Sequence, residues 1–247
     1  YGIYSHIGQL YDPVDSESLT YYREARDGQL IEEGINEAGA LSTFIAAGTA
    51  RTTHGVPTLP VFVFYSIFGF QRVGDLIYAA GDQQARGFLI GATSGRTTLN
   101  GEGLQHQDGH SHISAYAYPH VVAYDAAFGY ELAVIMREGV RRMQVEGEPV
   151  IYYLTVANEN YVMPAMPKAA EEGILKGMYR VRPSRHARRR KRAHLFGSGA
   201  ILNEALKAQQ LLEDDYGLAV DVWSVTSYKA LHEDGNAVER WNALHPE

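Results

Sequence analysis

Val150-Ile-Tyr-Tyr-Leu-Thr-Val156 is a run of β-branched, aromatic and aliphatic residues that contains no charged side chain. A segment of this kind has no polar face, so it is typical of a strand that is buried on both sides. Leu59-Pro-Val-Phe-Val-Phe-Tyr-Ser66 is a second such run. Two strands that are apolar throughout indicate a sheet with helices packed on both faces.

Helical patterns alternate with these strands along the chain. Apolar residues between Gln29 and about Thr52 recur at three- and four-residue steps, which predicts an amphipathic helix. Further helices are predicted at about 71–84 and 128–143, and further strands at 88–92 and near 121–124. The alternation predicts an α/β fold with a mainly parallel sheet flanked by helices. In such sheets, ligands gather at the carboxyl ends of the strands.

A second strand–helix–strand pattern follows a basic stretch. A strand with a glycine-rich turn is predicted at 193–200, a helix at 201–216 and a strand at 218–225, which indicates the start of a second α/β domain. The preceding segment, Arg182 to Arg192, holds seven Lys and Arg residues. It is either a solvated linker or a patch for nucleic acid or anionic lipid, and the acidic character of the whole chain favours the linker.

Composition limits the classes of function. The 247 residues carry a formal net charge of -7, which argues against nucleic acid as the default partner. No apolar run approaches the roughly 18 residues that a membrane span needs, and we expect no membrane association. Cysteine is absent, so disulfides and thiolate chemistry are excluded, and the composition is compatible with the cytoplasm. Because the chain begins with Tyr1 rather than Met, we expect it to be a fragment or a processed piece.

The segment from Gly95 to His112 is the densest polar stretch in the chain. It combines glycines, carboxamides, Glu102, Asp108 and three histidines, and it fits neither a helix nor a strand pattern. His106, His110 and His112 do not have a spacing that a helix would turn into a metal site, so no metal ligand is assigned. Proton carriers or hydrogen-bond donors to a substrate fit these histidines better.

Three residues outside this loop have two interpretations each. Glu37 is an exposed helix glutamate or a buried carboxylate that hydrogen-bonds a ligand's ring nitrogen. Tyr65 and Phe68 are core aromatics or a stacking platform for a flat heteroaromatic ring at a strand exit. Phosphate-loop, dinucleotide-binding and nucleophile-elbow motifs are all missing. The residues alone therefore indicate part of an α/β enzyme that binds a flat polar ligand.

Several segments together carry a specific resemblance. They are Glu33-Gly-Ile-Asn-Glu37, Tyr65-Ser-Ile-Phe-Gly-Phe-Gln-Arg72, Gly81-Asp-Gln-Gln-Ala-Arg-Gly-Phe88, Gly95–His112, Asn158-Glu-Asn-Tyr161, Pro164-Ala-Met-Pro167, Asp221-Val-Trp-Ser-Val-Thr-Ser227 and Glu239-Arg-Trp-Asn242. The chain resembles the thiamine-diphosphate-dependent decarboxylating component of the pyruvate dehydrogenase complex, in its homodimeric bacterial form. The likeness covers nearly all residues. It implies a transketolase-like pyrimidine-binding domain at 1–177, and a linker with the start of the C-terminal domain at 178–247.

The resemblance also implies roles for individual residues. Glu37 matches the glutamate that bonds the aminopyrimidine ring nitrogen of the cofactor, and Ile35 matches the apolar wedge that bends the cofactor. Tyr65 and Phe68 match the aromatic pair beside the pyrimidine. His106 matches a histidine that faces the thiazolium ring, and Glu102 is a further candidate for the same catalytic site.

Part of the expected cofactor site is missing from the chain. The family holds the diphosphate and Mg²⁺ with a Gly-Asp-Gly…Asn motif in a preceding domain, and no Gly-Asp-Gly occurs here. We therefore expect that domain to be supplied by the same full-length protein, by a second copy in a homodimer or by a separate chain.

The leading hypothesis is oxidative decarboxylation of pyruvate in the cytoplasm. The acetyl group would pass to the lipoyl group of an acyltransferase partner. The alternatives are a split or repurposed transketolase-like enzyme that acts on another 2-oxo acid or a ketose, and a non-catalytic assembly module.

Overall fold

In the computed structural model, residues 2–14, 22–95, 103–186 and 188–246 are described. The strands are β1 (Ile3–Tyr4), β2 (Glu24–Ala25), β3 (Val61–Phe64), β4 (Gly87–Ala92), β5 (Val121–Asp125), β6 (Ile151–Val156), β7 (Met178–Arg182), β8 (Arg192–Gly197) and β9 (Ala219–Val225). The helices are α1 (Glu37–His54), α2 (Gly69–Asp82), α3 (Ser111–Ala115), α4 (Gly129–Val140), α5 (Glu171–Lys176), α6 (Leu202–Asp214) and α7 (Tyr228–Leu244). None of these helices has the length and apolarity needed to cross a membrane.

The main sheet is parallel and has the strand order β3-β4-β6-β5. Its centre is β6, where Tyr152 and Tyr153 are fully buried on opposite faces. Tyr153 packs with α1 and α2 on one face, and Tyr152 packs with α4 and α5 on the other. The predicted α/β fold with a mainly parallel sheet is confirmed. Because all four strands run in one direction, their carboxyl ends meet at one edge of the sheet.

The strand β3 departs from its predicted burial. It pairs only with β4 among the described strands, and Val61 and Val63 remain 52% and 60% exposed. The prediction that this run is buried on both faces was wrong. Its composition shows that both faces suit an apolar environment, but it does not show that another element covers both of them.

Helix α1 begins later than its periodicity predicts. Asn36 caps the helix, because its side chain accepts a hydrogen bond of 3.0 Å from the backbone N–H of Gly39. Gly34 precedes it with φ of +67°, which a helix does not permit. The predicted start at Gln29 was therefore wrong. Glu37 consequently lies in the first turn of α1 and not inside the helix.

A second, smaller sheet has the order β7-β9-β8. β8 and β9 are parallel and are linked through α6, as the sequence predicted. β7, which the sequence analysis did not predict, pairs antiparallel with β9. Leu202 of α6 is fully buried and packs near Val222 of β9, so α6 covers one face of this sheet.

The basic stretch is folded onto the second sheet. Arg182 ends β7 and bonds Gln209, Arg185 pairs with Glu213, and Arg192 begins β8. The interpretation of this stretch as a solvated linker needs correction only in part: residues 188–191 are exposed, but Arg182, Arg185 and Arg192 are bonded to α6 and β9. The partners of these three arginines lie more than twenty residues away in sequence, so local composition does not reveal them.

A buried carboxylate joins the two sheets. Glu131 in the first turn of α4 accepts hydrogen bonds from the backbone N–H groups of Ala127 (2.6 Å) and Phe128 (3.1 Å). It also accepts hydrogen bonds of 2.7 Å from the hydroxyls of Tyr179 on β7 and Ser224 on β9. Four donors, two in the loop between β5 and α4 and two on strands of the second sheet, therefore depend on this one carboxylate.

The substitution Glu131→Ala should be strongly destabilising. It leaves two backbone N–H groups buried without an acceptor, so we expect the free energy of unfolding to fall by about 3 kcal/mol. Urea unfolding measures the change. Glu172→Ala is the control, because Glu172 is an exposed helix residue that pairs with Lys176, and its loss should cost about 0.5 kcal/mol or less. Equal effects of the two substitutions would contradict the role of Glu131.

Glu213 should make stability depend on acid pH. Burial alone would raise its pKa, but hydrogen bonds from Ser184 and Arg185 lower the pKa from 4.5 to about 2. A lowered folded-state pKa stabilises the protein above the unfolded value, and that stabilisation is lost as the pH falls toward 2. Glu213→Gln should therefore remove about 3 kcal/mol at pH 7 and flatten the dependence of unfolding free energy on pH between about 4.5 and 2.

The neighbouring carboxylate gives the control for this measurement. Asp214 bonds the same arginine, Arg185, at 2.7 Å, but it is exposed. Asp214→Asn should change the unfolding free energy by less than about 1 kcal/mol. A wild-type curve that is already flat between pH 4.5 and 2 would show that Glu213 has no such effect.

Candidate active site

The candidate site lies where loops leave the main sheet. Tyr65 follows the last residue of β3, and the loop after β4 leads toward His106. Two backbone hydrogen bonds hold this second loop at the sheet edge: Ser94 N–H donates to Val156 O (2.9 Å), and Asp108 N–H donates to Gly95 O (3.2 Å). The strand exits thus bring two polar loops together, as the sequence analysis expected from the parallel topology.

Three rings form an aromatic cluster at this edge. His106 lies in a single 3₁₀ turn, Leu104–His106. Its ring centroid is 4.6 Å from that of Tyr65 and 5.5 Å from that of Phe68. Tyr65 and Phe68 meet edge to face at 6.1 Å, and Tyr65 keeps 40% of its surface exposed. Tyr65 and Phe68 therefore do not belong to the buried core, and they form an accessible aromatic surface with His106.

An arginine that the sequence analysis did not single out connects Glu37 to this cluster. The guanidinium carbon of Arg72 lies 3.9 Å from the centroid of the Phe68 ring. Its Nη1 donates a hydrogen bond of 2.8 Å to Glu37 Oε1. The pair brings the first turn of α1 against the first turn of α2. Its only sequence signal was the position of Arg72 at the end of the quoted Tyr65–Arg72 segment.

The ring of His106 has two different nitrogens. Nδ1 is buried and has no hydrogen-bond partner among the described residues. Nε2 is not among the buried atoms that lack a partner, and no described residue bonds it. It is therefore the nitrogen that is available to a ligand. A buried nitrogen without a partner is uncommon in a folded protein and is often found at functional sites.

Asp108 fixes the loop that carries His106. Its carboxylate accepts hydrogen bonds from the backbone N–H groups of His110 and Ser111, both at 3.0 Å, and from the Ser111 hydroxyl. Tyr153 of β6 in turn donates to Ser111 at 2.8 Å. Burial raises the pKa of Asp108, but hydrogen bonds from Ser111, His110 and Ser66 lower it by more than burial raises it. The pKa of Asp108 is therefore below its ordinary value. Asp108 therefore holds the loop as an ionised acceptor.

The other two histidines have separate partners. His110 Nε2 lies 2.7 Å from the amide of Gln71, and His112 Nε2 lies 2.7 Å from the hydroxyl of Thr155. Burial lowers the pKa of His112 more than the nearby carboxylates raise it. The described part of the chain contains no group of three His, Cys, Asp or Glu side chains that could hold a metal ion.

One predicted site residue stands apart from the cluster, and one lies outside the part of the chain that the structure describes. Ile35 lies just before the cap of α1 and is 98% exposed, without a described contact to the aromatic rings. Glu102 lies outside the described residues. The structure therefore brings together Glu37, Tyr65, Phe68 and His106, and it adds Arg72.

Comparison with known proteins places this chain among relatives of one type. The family description "Pyruvate dehydrogenase E1 component middle domain" matches residues 1–164, and "Transketolase-like TK C-terminal domain" matches residues 177–243. Proteins named pyruvate dehydrogenase E1 component from Pseudomonas aeruginosa and Escherichia coli K12 are 59% and 54% identical over 99% of this chain. The chain spans 28% of the length of each.

Solved structures show the same fold. A transketolase from Leishmania mexicana matches with a TM-score of 0.66 at 16% identity, over 84% of this chain and 28% of that one. A transketolase from Campylobacter jejuni matches with a TM-score of 0.61 over 76% of this chain and 27% of that one. At such low identity the likeness concerns the fold alone.

Asp108→Ala should loosen the histidine loop, the segment 103–112 that carries His106, His110 and His112. Removing the acceptor frees the backbone N–H groups of His110 and Ser111, so we expect their amide hydrogen exchange to accelerate about tenfold or more, with a loss of about 2 kcal/mol in unfolding free energy. Hydrogen exchange read by mass spectrometry checks this. Ser114→Ala is the control, because its hydroxyl makes one exposed bond of 3.3 Å to His110 O. Unchanged exchange at His110 and Ser111 in the Asp108 variant would contradict the assignment.

Proposed function

This chain belongs to the family of the pyruvate dehydrogenase E1 component, and we propose on that premise that it supplies the pyrimidine-binding half of a thiamine diphosphate site. The full-length protein would carry out the oxidative decarboxylation of pyruvate. It would then pass the acetyl group to the lipoyl group of an acyltransferase partner.

One observation carries the proposal: an exposed aromatic cluster lies next to a carboxylate that has a free oxygen. Glu37 Oε1 is bonded by Arg72, and no described residue bonds Oε2. A flat aminopyrimidine needs aromatic surface on its faces and an acceptor or proton partner at a ring nitrogen. Tyr65 and Phe68 offer the first and Glu37 offers the second. The residues present therefore fit the pyrimidine end of thiamine diphosphate.

Each residue then has a defined task. Glu37 would hold the cofactor's ring nitrogen through its carboxylate and could share a proton with it. Tyr65 and Phe68 hold the ring and keep water from its faces. His106 donates or accepts a hydrogen bond through Nε2 toward the carboxylate or the reacting oxygen of pyruvate. When bound, thiamine diphosphate supplies the reactive carbon and the electron sink for decarboxylation.

Two further residues of this chain belong to the proposed site. The exposed Ile35 side chain provides the apolar surface over which the cofactor bends, because an aliphatic residue with 98% exposure has room for a ligand against it. Glu102 is proposed as a second catalytic carboxylate because it lies in the same loop as His106.

The rest of the cofactor site is proposed to lie outside this chain. No Gly-Asp-Gly sequence occurs in it, so a domain that precedes residue 1 in the full-length protein would hold the diphosphate and Mg²⁺. Residues 1–177 would form the pyrimidine-binding domain, and residues 178–247 the start of the C-terminal domain. We propose that the full-length protein is a cytoplasmic homodimer that consumes the pyruvate from glycolysis.

The proposal is tested by assaying the full-length protein. Release of carbon dioxide from pyruvate that depends on added thiamine diphosphate and Mg²⁺ would support it. Activity on a sugar phosphate but not on pyruvate would replace it with a transketolase-like function. Absence of cofactor binding in calorimetry would leave only an assembly role.

Glu37→Ala should abolish most activity without unfolding the protein. Loss of a positioned proton-transfer group lowers kcat by about 10²- to 10⁴-fold. Because Glu37 pairs with a half-exposed arginine at a helix end, the unfolding free energy should change by only about 1 kcal/mol. Steady-state decarboxylation and urea unfolding measure the two effects. Glu32→Ala, an exposed carboxylate five residues earlier, is the control. Near wild-type turnover in the Glu37 variant would contradict the assignment.

A further inference from the structure

We propose that Arg72 is the residue that positions Glu37 for the cofactor. The inference rests on the proposed function and deepens it. It assigns to Arg72, through its bond to Glu37, the task of aiming the catalytic carboxylate.

The guanidinium of Arg72 is fixed in two directions. The guanidinium carbon lies over the ring of Phe68, 3.9 Å from the ring centroid, and Nη1 donates a hydrogen bond of 2.8 Å to Glu37 Oε1. A planar cation that stacks on one neighbour and donates to another has little freedom to rotate. Arg72 therefore sets the distance and the angle between the carboxylate of Glu37 and the aromatic surface of Phe68.

The bond also selects which oxygen of Glu37 is free. Arg72 occupies Oε1, and Oε2 has no partner among the described side chains. A glutamate at the start of a helix has several rotamers open to it, since no turn of helix precedes it. Fixing one oxygen removes most of this freedom, and the other oxygen is presented to a ligand beside the aromatic cluster.

The local backbone explains how Arg72 reaches both neighbours. Val73 has φ of −130° and ψ of 25°, so the first turn of α2 is kinked away from the rest of the helix. This turn carries Gln71 as well as Arg72, and Gln71 reaches His110 on the histidine loop at 2.7 Å. One short turn thus connects α1, the aromatic cluster and the histidine loop.

A purely stabilising ion pair is the competing explanation. Arg72 is 47% exposed and Glu37 is 16% exposed at the side chain. Ion pairs with a half-exposed partner contribute little to folding. A structural role alone therefore predicts a small effect on stability and none on cofactor affinity, whereas a positioning role predicts a clear effect on affinity.

The test is a double-substitution cycle in the full-length protein with Mg²⁺ present. Arg72→Met, Glu37→Ala and the double variant are compared for thiamine diphosphate affinity by calorimetry and for kcat with pyruvate. We expect Arg72→Met alone to weaken affinity about tenfold, the size of one charge-assisted hydrogen bond. In the Glu37→Ala background the same change should alter affinity by less than about twofold, since nothing remains to be positioned.

Two further variants separate positioning from charge. Arg72→Lys keeps the charge but loses the planar stacking on Phe68, so it should recover less than half of the lost affinity. Arg137→Met is the matched control, because Arg137 pairs with Glu171 on an exposed surface away from the site. It should leave affinity and kcat unchanged.

The outcomes distinguish this inference from the proposed function. If the wild-type protein decarboxylates pyruvate and Arg72→Met binds the cofactor within twofold of wild type, the positioning role is overturned and the function stands. Additive losses in the cycle, with an equal fall in thermal stability, would also overturn it. If wild type binds thiamine diphosphate but does not act on pyruvate, the function is overturned, while a non-additive cycle in the binding data still supports the role of Arg72. If wild type does not bind the cofactor, both fall.

Discussion

The parallel direction of β3, β4, β5 and β6 is the constraint on which the candidate site depends. It places every loop that follows a strand at one edge of the sheet, so Tyr65 and the histidine loop meet although β4 and a helix separate them in sequence. Close approach at this edge requires Gly91. A Cβ atom there would lie 2.7 Å from the Tyr153 hydroxyl and 2.8 Å from Ser66 Cβ. A larger residue at position 91 would push the loop that contains Ser66 away from Tyr153 of the central strand β6.

The second sheet also contributes to the position of the histidine loop. His112 contacts the Thr155 hydroxyl, which donates to Asp125 Oδ1 at 2.7 Å, and Ser198 donates to Asp125 Oδ2 at 2.8 Å. Ser198 lies in the turn between β8 and α6. A largely buried chain of hydrogen bonds therefore runs from the histidine loop to the second sheet. Together with Glu131 it makes the two sheets one supporting framework for the site, because breaking either link leaves buried polar groups without partners.

Local sequence patterns predicted the four strands of the main sheet, β8, β9 and four of the helices, but not the contacts between them. The central strand was recognisable because Val150–Val156 is apolar on both faces, and a strand of this kind is typically covered by helices on both sides. The start of α1 was predicted too early because exposed apolar residues before Asn36 continue the helical period. Periodicity records which residues are apolar and does not record whether a partner covers them. The same limit applies to β3, whose apolar outer residues lie at an open edge.

The pair Arg72–Glu37 shows why the site itself was only partly predictable. The two residues are 35 positions apart and lie on different helices, so no spacing rule connects them. The resemblance assigned roles to Glu37, Tyr65, Phe68 and His106, but it assigned none to Arg72, although Arg72 ends one of the matching segments. The contacts of the basic stretch were missed for the same reason: Arg185 and Arg192 have acidic partners on α6 and β9 that only the fold brings near.

The exposure of the site residues has a physical consequence of its own. Ile35 at 98%, Leu104 at 79% and Val63 at 60% are aliphatic side chains that lie open to solvent in this chain. Covering them would release water from apolar surface and would be favourable at about 25 cal/mol per Å². Ile35 and Leu104 lie two residues before Glu37 and His106 in sequence, so the apolar surface is carried by the same segments as the carboxylate and the imidazole. Under the proposed function, the same apolar residues would favour completion of the site by a further domain, and the exclusion of water in that step would strengthen each polar contact around the ligand.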